Sequence, residues 1–320
     1  MRHVFVINPA AGKENAQEKI RRALEALKNP VDYEIYLTKD TRDATFFVRN
    51  YCERYHDPVR FYACGGDGTL NEVMNGIVGF SHASLGCYPC GSGNDFVKYY
   101  GGKKYFLNIA ALVAAEEEPI DIMRVGNKYA INATHFGFDS GVAKTMSNVR
   151  RNKVFGGKNA YTTGVVVALA TSMWNKCRVT ADGEVLNPKG RILLCTVANG
   201  QYVGGSFRCA PRSENNDGFL EVCLVHPVSH FRFLQLMSDY RDGKHLEGDK
   251  FKNIVVYRRA KRIRVQAPEG FVYSLDGELV ECNDFTIEVM PGAIRFARPA
   301  GAYPVVFSNP VSVQPTLVTK

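Results

Sequence analysis

Val59-Arg-Phe-Tyr-Ala-Cys-Gly65-Gly-Asp-Gly-Thr69-Leu-Asn-Glu-Val-Met-Asn-Gly-Ile77 reads as a strand that runs into a glycine-rich turn and then a helix. Val59 to Cys64 is a short run of β-formers, and Leu70, Val73, Met74 and Ile77 share one face of a 3.6-residue period. Three glycines between them let the backbone approach a ligand closely, and the amides opening the helix make an anion site favoured by its macrodipole. With Gly at about 7% of residues and Asp and Thr at roughly one in twenty, the pentapeptide Gly65 to Thr69 arises by chance at order 10⁻⁶ per position. The stretch predicts a phosphate cradle.

Its flanks extend the pattern. His3 to Ile7 and Tyr33 to Leu37 are strand candidates. Glu14 to Lys28 is helical with Ile20, Ala23, Leu24 and Leu27 on one face, as is Thr41 to Tyr55 with Ala44, Phe47, Val48 and Tyr51 inward. The order βαβαβα predicts an α/β domain with a Rossmann-like doubly wound sheet. In such a sheet the carboxyl ends of neighbouring strands share one edge. Asn8, Pro9, Gly12 and Lys13 after the first strand would meet there with Gly91, Ser92, Gly93, Asn94 and Asp95 after a strand near Ala83 to Tyr88. Neither a GxxxxGK[ST] loop nor a GxGxxG fingerprint occurs, so the phosphate site is of another type.

After about Ile120 the texture changes to β-branched and aromatic runs: Tyr129 to Thr134, Arg191 to Ala198, Leu220 to Val225, Ile254 to Val256, Ile263 to Gln266 and Phe285 to Val289. Turn signals at Asp182-Gly183, Asp217-Gly218 and Asp276-Gly277 separate them and predict a mostly antiparallel β-sandwich. Helical stretches at Thr163 to Asn175 and Phe231 to Tyr240 interrupt it. The expected division is an α/β domain over 1–119, a β-rich domain over 120–298 whose last strands pack back on the first, and an extended tail over 299–320. Ala302 to Thr319 carries three prolines and no charge.

Composition sets the outer bounds. A chain of 320 residues is expected to form two domains, and 45% apolar with 22% charged residues excludes disorder and fibrous repeats. The longest mainly apolar run, Gly164 to Met173, is about half of the roughly 20 residues of a spanning helix. With no signal-peptide pattern at Met1 to Ile7, the chain is expected to be cytoplasmic, and its nine scattered cysteines to be reduced thiols. The surplus of 40 bases over 32 acids, +8, suits anionic lipid, nucleotide or nucleic acid alike. Arg258, Arg259, Lys261, Arg262 and Arg264 form the densest basic run. On a strand, Arg262 and Arg264 would share one face and Ile263 and Val265 the other, a solvated edge or an attractor for anionic headgroups. No aromatic-interleaved motif supports nucleic acid binding. His135, His226, His230 and His245 show no metal spacing and read as structural.

In their order along the chain, Asn8-Pro-Ala-Ala-Gly12-Lys13, Gly65-Gly-Asp-Gly-Thr69 with Asn71 and Glu72, Gly91-Ser-Gly-Asn-Asp95, Ala210-Pro211 with Asp217-Gly218, and Asp276-Gly277-Glu278 resemble the motifs of the bacterial diacylglycerol kinase and related lipid kinase family. That family shares its fold with sphingosine kinase, ceramide kinase and, more distantly, NAD kinase. The resemblance implies that Gly65, Gly66, Asp67, Gly68 and Thr69 hold ATP phosphates with Asn71 and Glu72, that Asn8, Gly12 and Lys13 line the same cleft, and that Thr38 contacts the nucleotide. Gly91, Ser92, Gly93 and Asn94 complete that site, with Ser92 in place of the usual threonine. Where the family often has Gly-Asp-Ala, this chain has Arg42 before Asp43-Ala44.

For the second domain the resemblance implies a Mg²⁺ site at Asp217 with the Glu214 and Phe219 carbonyls, and catalysis by Asp276 and Glu278. From the residues alone, Asp276-Gly277-Glu278 is a hairpin tip and Asp217-Gly218 a turn. The implied activity is an ATP- and Mg²⁺-dependent lipid kinase that acts at the membrane surface on a diacylglycerol-like acceptor and yields a lipid phosphate such as phosphatidate. Asp276 would be the base, with Glu278 supporting it or exchanging roles. The alternatives are a soluble kinase of the NAD kinase type and a non-catalytic lipid or nucleotide sensor. Monomer and homodimer remain open, because an exposed edge strand either pairs or is blocked by its charges.

Overall fold

A computed structural model describes residues 1–12, 15–137 and 174–305. The amino-terminal part alternates β1 (Arg2–Ile7), α1 (Ala16–Glu25), β2 (Tyr33–Leu37), α2 (Asp43–Arg54), β3 (Val59–Gly65), α3 (Asp67–Ile77) and β4 (Ala83–Pro89). Strands β2, β1, β3 and β4 lie side by side in parallel, in that order. Every residue of β3 and β4 is buried, as expected of a parallel sheet covered on both faces. Ile20, Leu24, Val48, Val73, Met74 and Ile77 from the helices close over Val4, Phe5, Val6 and Phe61.

The carboxyl-terminal part is the expected sandwich. One sheet runs β14 (Val255–Ala260), β13 (Leu220–Val225), β12 (Leu194–Ala198), β7 (Ala133–Gly137), β16 (Val272–Leu275) and β17 (Glu278–Glu281), with every pairing antiparallel. Facing it are β9 (Arg178–Ala181), β15 (Arg262–Gln266) and β18 (Asp284–Arg298). Phe136, Val197, Val222, Ile263, Val265, Phe285 and Ile287 fill the space between. The Asp276-Gly277 turn has φ of 47° and 94° and joins Leu275 to its partner Glu278, the primed geometry of a two-residue hairpin.

Strand β18 welds the two parts together. Its first half pairs with β15, while β5 (Glu116–Val125) runs along it from Ile287 to Arg298; near its end Phe296 pairs in parallel with Leu85 of β4. The register against β5 shifts between Met290 and Ile294, where Pro291 cannot donate and the strand bends. One sheet is therefore continuous from β2 to β9.

Two expectations change. Strand β15 is interior, between β9 and β18, so Arg262 and Arg264 cover a solvated face and not an edge; Arg264 pairs with Asp284 at 2.7 Å. Helix His230–Arg241 contains the expected 231–240 stretch. The stretch expected to be helical at 163–175 lies outside the described residues except for Trp174 and Asn175, and Asn175 is in a short strand, Asn175–Lys176. Of the tail, residues 299–305 are described, and Val305 N–H donates to the Tyr99 carbonyl at 2.7 Å.

Arg42 precedes α2 with φ at 69°, a left-handed conformation costly for any residue with a Cβ. Glycine at that point carries no such cost. Its N–H donates to Glu72 Oε1 at 2.9 Å, a bond glycine would keep. Arg42→Gly is expected to raise unfolding free energy by about 1 kcal/mol in urea titration.

Candidate active site

Three loops meet at the carboxyl ends of β1, β3 and β4. Asn8 fixes the first to the second: its Nδ2 donates to Thr69 Oγ1 at 3.3 Å, and its Oδ1 accepts from Ala10 N–H at 3.0 Å. The Gly65 carbonyl accepts from the N–H groups of Cys90 and Gly91 at 2.9 and 3.1 Å, fastening the second to the third. These loops touch backbone to backbone. A Cβ at Gly91 would stand 2.4 Å from Gly66 Cα, so an alanine there displaces the glycine-rich turn.

Gly68 is different, since a Cβ there would meet nothing within 4 Å. The protein's own packing leaves that space open. Gly66 caps α3 without a side-chain hydrogen bond, which leaves its leading amides available to a ligand. Thr38 follows β2 and donates its N–H to the Ile7 carbonyl at 2.9 Å, at the same sheet edge. Lys13 lies outside the described residues.

The turn at Asp276 comes to this edge from the second sheet. Its carboxylate accepts from Asn71 Nδ2 at 2.8 Å and from the N–H groups of Ile131, Asn132 and Ala133 at 2.7, 3.1 and 2.8 Å. Asn71 therefore faces the hairpin, with a second bond to the Tyr129 carbonyl at 3.1 Å. Glu72 instead faces Arg42. Between the loops and the turn lies a cavity of about 690 Å³ lined by Asp67, Ser92, Gly93, Asp95, His135, Ser274 and Asp276 among others.

The acids of this cavity are engaged to different degrees. Asp276 is saturated, because a carboxylate offers about four acceptor positions and four donors use them. Burial pushes its pKa up and those bonds pull it back, leaving it above the usual carboxylate value. Asp95 accepts Lys98 Nζ at 2.5 Å and the Gly205 N–H at 3.0 Å. Asp67 uses Oδ1 to hold the start of helix Asp95–Lys98, accepting from Asp95 N–H at 2.6 Å and Phe96 N–H at 3.4 Å. Its Oδ2 accepts no hydrogen bond among the described residues. Burial, with the charges of Asp95 and Asp276, pushes its pKa up to about 6. Glu278 is exposed at the start of β17, and its charge helps to raise the pKa of Glu72, which burial already pushes up.

Glu214, Asp217 and Phe219 do not line the cavity. Asp217 Oδ1 accepts the Phe219 N–H at 2.9 Å, and Oδ2 is paired with Arg259. A carboxylate with loop carbonyls is a hard-oxygen set that suits Mg²⁺. Next to it, Glu221 Oε2 is buried without a hydrogen-bond partner among the described residues, which also suits a cation. The donors fit the ion in kind, but Arg259 holds one of them.

Sequence reasoning missed four lining or closing groups: His135, Asn132, Lys98 and the Val203–Gly205 loop. His135, expected to be structural, stands on the cavity wall opposite Ser274 in the register of β7 and β16. Strand alternation could have put His135 on one face with Ala133, but not which face borders the cleft.

The comparisons with known proteins agree with this fold. Residues 2–125 match the model of the diacylglycerol kinase catalytic domain, and residues 132–298 match the YegS C-terminal NAD kinase beta sandwich-like domain. The chain belongs to the YegS-like diacylglycerol kinase family. Among relatives of this lipid kinase family, it is 27% identical over 279 residues to the diacylglycerol kinase of Bacillus subtilis, covering 86% of this chain and 88% of that one. A YegS-like lipid kinase of Pseudomonas aeruginosa is 29% identical over 297 residues, covering 91% and 93%. The crystal structure of a diacylglycerol kinase from Bacillus anthracis superposes with a TM-score of 0.70 at 22% identity, covering 94% and 98%, and shares the fold.

Asp67 supplies a pH test. Its folded pKa of about 6 lies above the unfolded value of 3.8, so the folded state holds this proton more tightly. That advantage is complete below about pH 4 and is lost as pH rises through 6. Asp67→Asn keeps the Oδ1 acceptor and removes the charge. Its stability relative to wild type, followed by thermal melts in EDTA, is expected to rise between pH 4 and 7 by on the order of 2 kcal/mol.

Proposed function

We propose that this lipid kinase family member transfers the γ-phosphoryl group of ATP, with Mg²⁺, to the hydroxyl of a diacylglycerol-like lipid and releases a lipid phosphate such as phosphatidate. The observation that carries the reading is the cavity of about 690 Å³, which has Asp67 and Leu70 at the start of α3 on one wall and Asp276 and Gly277 of the hairpin on the other. Phosphates and acceptor hydroxyl would meet between them.

Gly66, Gly68 and the α3 amides would hold phosphate oxygens, with Ser92 offering a hydroxyl and Asn8 keeping the first loop against Thr69. Mg²⁺ bound with ATP supplies positive charge to the phosphate oxygens. In the transfer an oxygen of the lipid attacks phosphorus, the bond to ADP breaks, and the hydroxyl proton passes to a carboxylate. Asp276 is committed to four donors, so it orients the hairpin and the cavity wall. Glu278, two residues on and exposed, is the carboxylate with open oxygens at this turn, and we assign it the proton. No helix among the described residues is long and apolar enough to cross a membrane. In this reading the lipid is met at a membrane surface by peripheral contact, and the site is assembled within a single chain.

The test is ³²P transfer from ATP into vesicles containing diacylglycerol, sphingosine, ceramide or phosphatidylglycerol, with NAD as a soluble acceptor. Label in diacylglycerol is expected. Label in NAD alone, or ATP binding without transfer, would overturn the reading in favour of the NAD kinase type or a sensor. Glu278→Gln is expected to lower kcat by about 10² to 10⁴ with an unchanged melting temperature. Asp276→Asn is expected to lower the melting temperature as well, because it exchanges an acceptor for a donor opposite buried N–H groups.

A further inference from the structure

The Asp217 loop already holds a cation of its own. Glu221 on β13 and Arg259 on β14 stand directly opposite each other in the strand register. From there the Arg259 guanidinium reaches two carboxylates, pairing with Asp217 Oδ2 through Nη2 and lying 3.5 Å from Glu221 Oε1 through Nε. Its plane is backed by the Phe219 ring, whose centroid is 4.6 Å from Cζ. This is a built contact, because a planar fork between two acids, stacked on an aromatic face, is the setting that favours arginine over lysine.

The surroundings leave few other acceptors for an incoming ion. Asp121, the next acid, spends its carboxylate on the N–H groups of Gly218 at 2.6 Å and Gly292 at 2.8 Å. Asp217 Oδ1 is tied to its own loop through the Phe219 N–H. Besides the Glu214 and Phe219 carbonyls, what is left is Asp217 Oδ2, held by Arg259, and Glu221 Oε2, which is buried with no hydrogen-bond partner among the described residues. The Glu221 side chain is only 5% exposed, whereas that of Arg259 is 51% exposed and has solvent to move into.

We propose that Arg259 is a built-in counter-cation that competes with a divalent ion for the carboxylate of Asp217. A divalent ion at Asp217 Oδ2 meets the guanidinium charge across the same oxygen, so it binds well only when Arg259 swings away toward solvent. Arg259 thereby weakens ion binding at this loop and keeps the loop folded without the ion. This rests on the assignment of a divalent site to Asp217, and the experiment separates the two ideas.

Mn²⁺ binding to the full chain, without nucleotide, is measured by the loss of the free-ion electron paramagnetic resonance signal. Wild type, Arg259→Gln, Arg259→Lys and Asp217→Asn are compared, with thermal melts in EDTA and in Mn²⁺. Arg259→Gln is expected to bind at least tenfold more tightly than wild type, to melt lower in EDTA, and to gain more from Mn²⁺. Arg259→Lys, which cannot fork both acids, is expected to bind about threefold more tightly and carries the test if the Gln protein fails to fold. Equal or weaker binding in the Arg259 variants, while Asp217→Asn abolishes it, would overturn the competition and leave the metal site standing. Binding unchanged in Asp217→Asn would overturn the site itself.

Discussion

The Asp276 carboxylate takes hydrogen bonds from one side chain of α3 and three consecutive amides of the segment leading into β7. These donors belong to elements far apart in sequence, and few other arrangements of the backbone would satisfy a buried carboxylate and three buried amides together. The distance between the glycine-rich turn and the hairpin tip follows from it, because Asn71 stands two residues beyond Thr69 on α3 and Gly277 follows Asp276 in the tip. Asn71 ties α3 to the hairpin, and the three amides leading into β7 fix the hairpin itself, so a ligand can enter the cleft without its walls drifting apart. The same saturation makes Asp276 a poor proton acceptor, and of the two acids of the turn only Glu278 is exposed.

Strand β18 plays the matching part on the hydrophobic side. It contributes Ile287 to the sandwich core and Ile294 and Phe296 to the core of the parallel sheet, so neither layer closes without it. The irregularity at Met290 to Ile294 is what allows one strand to serve both. There the Gly292 N–H leaves the ladder and donates to Asp121 Oδ1 at 2.8 Å. Asp121 in turn holds Gly218 of the Asp217 loop. A chain of short bonds thus runs from the strand shared by both layers to the loop that faces Arg259.

Much of this was legible in the sequence. The strand, turn and helix at Val59 to Ile77 could be read because local pattern and local structure coincide there: the glycines are where the backbone turns, and the apolar residues recur at the helical period. The Asp276-Gly277 hairpin was legible for the same reason, as two residues with positive φ between β-forming runs. Strand β18 was legible only as far as Val289. Pro291 and Gly292 are ordinary stop signals, and the strand continues past them because β5 and β4 offer partners on either side. The basic run was read correctly for its alternation but not for its place, since edge or interior is a property of the neighbours of β15.

The sequence by itself determined the order of elements, the glycine-rich turn and the family to which the chain belongs, because these rest on residues adjacent along the backbone. Only the tertiary structure decided which acids are spent and which are open. Asp67, Asp95, Asp217, Asp276 and Glu278 look alike as letters. Their chemistry is set by the amides, lysine and arginine that folding brings to each of them from distant parts of the chain, and by how much water is left beside them.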